Sequence, residues 1–204
     1  MREAEIMVDF MGQSTKDRII ELGAHIMHLK GFNHTGIQEI LDAAGVPKGS
    51  FYNYFRSKED FGLQVIDYFV GYFNQFTKGI TSDLSLSPLE KIRRILEQFT
   101  AFFESKDYAY GCPVGNLSQE MGDLSPAFRE KLKEALDNMA GIYAQLLKEA
   151  QERGELSISI DPTEAAYFIV SSWHGALIRM KVEKSSEPLK SHLKFIFDYI
   201  LEHQ

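Results

Sequence analysis

The chain holds a single cysteine, Cys112, set between Gly111 and Pro113. Proline is favoured at the first position of a helix, where its missing N–H costs nothing, so Cys112 falls at a helix N-terminus. Unpaired amides there favour thiolate, the nucleophilic form of sulfur. Such a sulfur could add to quinones, aldehydes or maleimide-like acceptors, or oxidise to a sulfenic acid. Lys181 lies eight residues after Trp173 in the run SSWHGALIRMK. An ammonium close to the thiol would lower its pKa further and could trap an oxidised sulfur through nitrogen. Both residues have a plainer reading as well. A lone cysteine often serves as a small buried hydrophobe, and a lysine late in a helix offsets the helix dipole.

A second set of reactive types lies in residues 35–58, TGIQEILDAAGVPKGSFYNYFRSK. Lys48, Ser50, Tyr52, Asn53 and Tyr54 line up donors, and Gly49 between them lets a backbone approach another molecule closely. Val46, Phe51 and Phe55 supply an apolar underside. Tyr52 fits either face. Lys58 sits near a helix start, where free amides and an ammonium together suit a phosphate. Two short helices joined by an Ala-Gly turn form a helix-turn-helix, the motif whose second helix enters the DNA major groove.

Helices must position both sets, because the apolar spacing is three and four residues almost throughout. Ser14 or Thr15 caps a first helix that Gly31 ends. Thr35 caps a second, Pro47 opens a third, and Ser57 with Asp60 forms a capping-box pattern for an aromatic fourth. Further helices are expected over 88–105, 113–122, 125–153, 162–182 and 188–201, giving nine helices and an all-α fold. LSISI at 156–160 alternates only briefly. The expected division is a helix-turn-helix domain over 1–60 and a larger domain over 61–204.

Composition narrows the class. The 22 basic and 29 acidic side chains give a net charge of −7, which by itself argues against a nucleic-acid partner. The distribution reverses that inference: residues 14–58 carry six basic and four acidic side chains, a net of +2. One cysteine allows no intrachain disulfide and suits a reducing, cytoplasmic setting. No run approaches the roughly 20 apolar residues of a membrane span, and MREAEIMVDFMGQS lacks a secretory pattern. His25 and His28 share a helix face without a third ligand nearby, so no metal and no cofactor are expected. An enzyme or redox protein built on Cys112 lacks a supporting His/Asp constellation or phosphate loop.

The run from Thr35 through Glu39-Ile40, Ala44-Gly45-Val46, Gly49-Ser50-Phe51-Tyr52 and Tyr54-Phe55 to Lys58 resembles the TetR family of one-component transcriptional regulators. The resemblance implies an all-α homodimer on a palindromic operator, released by a small effector. It places Thr35, Tyr52, Tyr54 and Lys58 on phosphates, with Lys48, Gly49, Ser50 and Asn53 nearest the bases. Pro47 stands where the family has Ser or Thr, so a capping hydroxyl is missing. The phrases HTGIQEIL, VPKGSFYNYF and GCPVGNLSQEM are similar to a branch of repressors responsive to N-ethylmaleimide and acrylate. That likeness pairs Cys112 with Lys181.

The aromatic residues Phe99, Phe102, Phe103, Tyr108, Tyr110, Tyr143, Tyr167 and Trp173 read as core or as pocket wall, with Phe103, Tyr110 and Trp173 placed in the effector site beside Cys112 and Lys181. His174 is expected in the core. Ser171, Ser172, Gly175 and Ala176 form a strip for close packing, and Leu193, Ile196, Phe197 and Ile200 an apolar stripe. Together they make half of an intermolecular four-helix bundle.

Overall fold

The Ser14 hydroxyl accepts a hydrogen bond from the Asp17 amide at 3.2 Å, and this cap starts α1, Thr15–Lys30. The computed structural model describes residues 14–201, so the opening residues and the secretory reading made on them lie outside the described residues. Gly31 ends α1 with φ of 83°. α2 spans Ile37–Ala44, and here the expected Thr35 cap is corrected. Gly36 stands at the cap with no side-chain bond, while Thr35 Oγ1 donates to the Gly31 carbonyl at 2.7 Å. Gly45, at φ of 62°, turns the chain out of α2. Pro47 offers no capping side chain; its carbonyl accepts from the Ser50 amide at 2.9 Å in a 3-10 turn, Lys48–Ser50. That turn runs into α3, Phe51–Tyr54.

α4, Lys58–Thr81, begins on Ser57, whose hydroxyl accepts from the Asp60 amide at 3.0 Å. Asp60 returns the bond to the Arg56 amide at 2.9 Å rather than to Ser57, so the capping box is displaced by one residue. Ile19, Ile40, Leu41, Phe51, Phe55 and Phe61 form the buried centre of α1–α4. Ring centroids lie 5.0 Å apart for Phe51–Phe55, 5.1 Å for Phe55–Phe61 and 5.8 Å for Phe51–Phe61. Each phenylalanine so buried contributes about 1.5–3 kcal/mol of transfer free energy.

Proline opens the remaining helices: α5, Pro88–Ser105; α6, Pro113–Met121; α7, Pro126–Glu152; α8, Pro162–Glu183; and α9, Glu187–Phe195, with proline at one of the first two positions. A π-helical turn, Ile196–Ile200, continues α9. α7 packs against α5, α6 and α8, and α8 packs against α9. Residues 156–160 form no strand, because the Gln151 side chain donates to the Ser157 and Ile160 carbonyls at 2.9 and 2.8 Å and fixes a turn. The fold is all-α, with nine helices and no strand among the described residues. The chain divides into two compact units between Phe69 and Val70, within α4.

Gly23 has a packing reason. A Cβ added there would fall 2.3 Å from Phe61 Cζ and 3.1 Å from Ile40 Cγ2. Alanine gains about 1 kcal/mol of helix propensity, but overpacking a filled core costs about 1–3 kcal/mol. Gly23→Ala is therefore expected to lower the thermal midpoint of the first unit. A raised midpoint in a calorimetric scan would refute the packing argument.

Candidate nucleic-acid interface and sensor site

The helix-turn-helix separates its two faces cleanly. Phe51 and Phe55, one turn apart, point inward, while Tyr52 is 67% exposed and Lys48, Gly49, Asn53 and Tyr54 are also exposed. Ser50 is half-buried. Tyr52 is thus no part of the core. A Cβ on Gly49 would meet nothing within 4 Å, and the residue has no positive φ. Neither fold geometry nor internal packing requires glycine there, which leaves space for an outside body. Thr35 is corrected again as a phosphate contact: it is 1% exposed, and its hydroxyl is spent on Gly31. The Lys58 ammonium lies 4.6 Å over the Phe32 ring and donates to the Asn33 carbonyl at 3.4 Å, so it is held close to the α1–α2 turn. Lys30 meets Glu39 at 2.6 Å, and that hydrogen bond holds the Glu39 carboxyl below its ordinary range.

Cys112 is the N-cap of α6, as its place before Pro113 implies. Its sulfur accepts from the Gly115 amide at 3.5 Å. The thiolate expectation is corrected. The residue keeps some surface, but its sulfur is densely surrounded. Burial pushes the thiol above its usual pKa, and the Gly115 and Val114 amides pull it down by less. Lys181 is close in a different sense from the one expected. Its Cδ lies 3.2 Å from where a Cβ on Gly111 would sit, so its aliphatic stem covers the residue next to Cys112. It is not among the causes acting on the thiol.

The loop leading to Cys112 is strained. Asp107, Tyr108 and Tyr110 have φ of 51°, 57° and 70°, a region costly for side chains other than glycine. The Asn116 side chain pins it by donating to the Tyr110 carbonyl at 2.9 Å. Phe103 is buried, and its carbonyl accepts from the Tyr108 amide at 2.9 Å. Trp173 is buried edge-on against His192, ring centroids 5.3 Å apart. Sequence reasoning missed the closer neighbours. His174, assigned to the core, is half-buried, and its ring edge rests on Gly115. Tyr143, one of many aromatics, is buried and next to Cys112, as their mutual electrostatic influence shows. Glycine at the third position of α6 was the available signal for close approach. No group of three His, Cys, Asp or Glu that could hold a metal occurs among the described residues.

The α8–α9 surface also differs from the expectation. Leu193 and Ile196 are 9% and 0% exposed, buried in the chain's own core, so they are corrected as members of an outward stripe. Phe195 and Tyr199 are exposed instead, along with Phe168, Ile178 and Val182 of α8. A groove of about 490 Å³ runs between the helices, lined by Phe168, Ser172, Ala176, His192, Phe195 and Ile196. His192 Nε2 and Ser172 Oγ are 2.9 Å apart across it.

A helix-turn-helix unit with an outward donor helix, joined to a separate helical unit, is the architecture of a one-component DNA-binding regulator. Residues 19–65 match the family described as bacterial regulatory proteins, tetR family, and residues 88–196 match the tetracyclin repressor-like C-terminal domain. The chain belongs to the TetR family of transcriptional regulators. It is 41% identical to the transcriptional regulator AcuR of Cereibacter sphaeroides over 85% of this chain and 79% of that protein. It is 35% identical to the HTH-type transcriptional repressor DhaR of Mycobacterium sp. over 91% of this chain and 92% of that protein. The crystal structure of the reduced form of Escherichia coli NemR superposes with a TM-score of 0.81 at 28% identity, covering 91% of this chain and 96% of that one. No helix among the described residues is long and apolar enough to cross a membrane.

Burial lowers His192 from 6.5 to about 4. Between those values the unfolded chain takes up a proton that the folded chain does not, so stability is full above the higher value and falls as pH drops towards the lower one. His192→Gln is expected to reduce the stability lost between about pH 7 and pH 5 in urea unfolding. Equal losses in both proteins would show that His192 is not the titrating group.

Proposed function

We propose that this chain is a cytoplasmic repressor that binds a palindromic operator as a homodimer and leaves it when a small effector engages the second unit. The observation that carries the DNA reading is the α3 surface, where Lys48, Tyr52, Asn53 and Tyr54 are displayed around a Gly49 that the fold itself does not require. In this reading residues 1–60 serve the operator, and residues 61–204 serve effector and partner. DhaR and NemR are named repressors, which favours repression over activation. The exposed Phe168, Ile178, Phe195 and Tyr199 on α8 and α9 favour a second copy as partner, since apolar surface of this kind marks an interaction site. Two copies would supply two recognition helices for two half-sites.

The effector contact is assigned to Cys112, with Tyr110 and Lys181 beside it and Phe103 and Trp173 in the supporting core. A reactive electrophile or an oxidant is the effector class this residue suits. DNA and effector then favour different conformations, and each weakens the other by the same factor. α4 supplies the covalent continuity for that coupling, because its residues belong to both units.

Mobility shift on the protein's own upstream DNA tests this reading. Binding is expected to weaken steeply with salt, and Lys48→Ala to cost about 1–3 kcal/mol. Cys112→Ser is expected to bind DNA and to ignore a quinone or aldehyde that releases the unaltered protein. Normal release from the serine variant would sink the sensor assignment.

A further inference from the structure

Two polar groups beside Cys112 lack hydrogen-bond partners, and the reading above uses neither. Tyr143, on α7, is 3% exposed. Burial and the neighbouring Cys112 are what act on its hydroxyl, with no hydrogen bond among them. His174, on α8, has a buried Nε2 with no partner. A Cβ placed on Gly115 would lie 3.2 Å from that Nε2 and 3.6 Å from Cys112 Cβ, so imidazole and cysteine flank one point at the start of α6. Three helices thus bring thiol, phenol and imidazole together.

All three groups are uncharged at neutral pH. Burial raises Cys112 and Tyr143 and lowers His174. Lys181 is solvent-exposed, so its charge is screened. An anion brought here would lose its water without a compensating charge. The set suits a neutral molecule with one accepting oxygen and one carbon open to sulfur.

We propose that Cys112, Tyr143 and His174 form a conjugate-addition site for small neutral α,β-unsaturated aldehydes and ketones. This deepens the sensor reading and rests on it for its biological meaning. The Tyr143 hydroxyl donates to the carbonyl oxygen. As the thiol proton passes to His174 Nε2, sulfur bonds to the β-carbon, the alkene π pair moves towards the carbonyl, and an enolate forms. Tyr143 stabilises that developing oxyanion. His174 returns the proton to the α-carbon, leaving a thioether with nothing oxidised or reduced. General-base help replaces the pre-formed thiolate that burial denies this cysteine.

The test follows alkylation of Cys112 in the full chain by intact mass, using methyl vinyl ketone and, as reference, iodoacetamide, which loses iodide and forms no enolate. Tyr143→Phe is expected to lower the ratio of the two rates about tenfold or more. His174→Gln is expected to slow the enone reaction and to make its rate track thiol ionisation as pH rises. An unchanged ratio in Tyr143→Phe overturns the proposal, as does a failure of methyl vinyl ketone to modify Cys112 in the unaltered chain. Fast, Tyr143-dependent alkylation with operator binding retained would support the addition site and refute the sensor reading, so the two failures are distinguishable.

Discussion

α3 is four residues long, and a helix of that length does not persist on its own hydrogen bonds. Its position is set from beneath, by Phe51 and Phe55 packed on Phe61. Everything displayed on the outer face depends on that burial. Tyr52, Asn53 and Tyr54 hold their directions because the residues between them cannot leave the core. The same ring of Phe61 reaches into the space that Gly23 leaves on α1. A surface meant for another molecule is therefore made precise by three side chains that never touch it.

In the second unit, the competing influences on Cys112 decide its chemistry. The α6 amides favour thiolate, but burial outweighs them. A helix N-terminus gives a usable effect only where solvent can still reach the charge, because desolvation of a sulfur anion grows quickly with cover. Reactivity must then come from neighbours that act during bond formation. The strained loop before Cys112 fits the same picture, since residues held at positive φ persist only where their surroundings fix them firmly.

Much of this was legible in the sequence. Serine and proline at helix starts, and Gly31, Gly45 and Gly154 at helix ends, mark elements by local rules that tertiary contacts did not override. The helix-turn-helix followed from its turn and its phenylalanines. The misses share a cause. Thr35 looked like a cap because capping is read along the chain, but its hydroxyl found the Gly31 carbonyl across the turn. The stripe on α9 has the right period, yet periodicity cannot say which of two neighbours covers it. The π turn at Ile196–Ile200 also changes the register there, leaving Phe195 and Tyr199 outside. Tyr143 and His174 come to Cys112 from distant segments, and no spacing rule links them.

Cys112 being the sole cysteine has a consequence for how long a response lasts. No second thiol in the chain can displace a group attached to its sulfur, and a thioether does not exchange as a disulfide does. A molecule modified there keeps its mark until it is degraded or diluted by growth. Such a chain records accumulated exposure rather than the concentration of the moment, and recovery is paced by new synthesis.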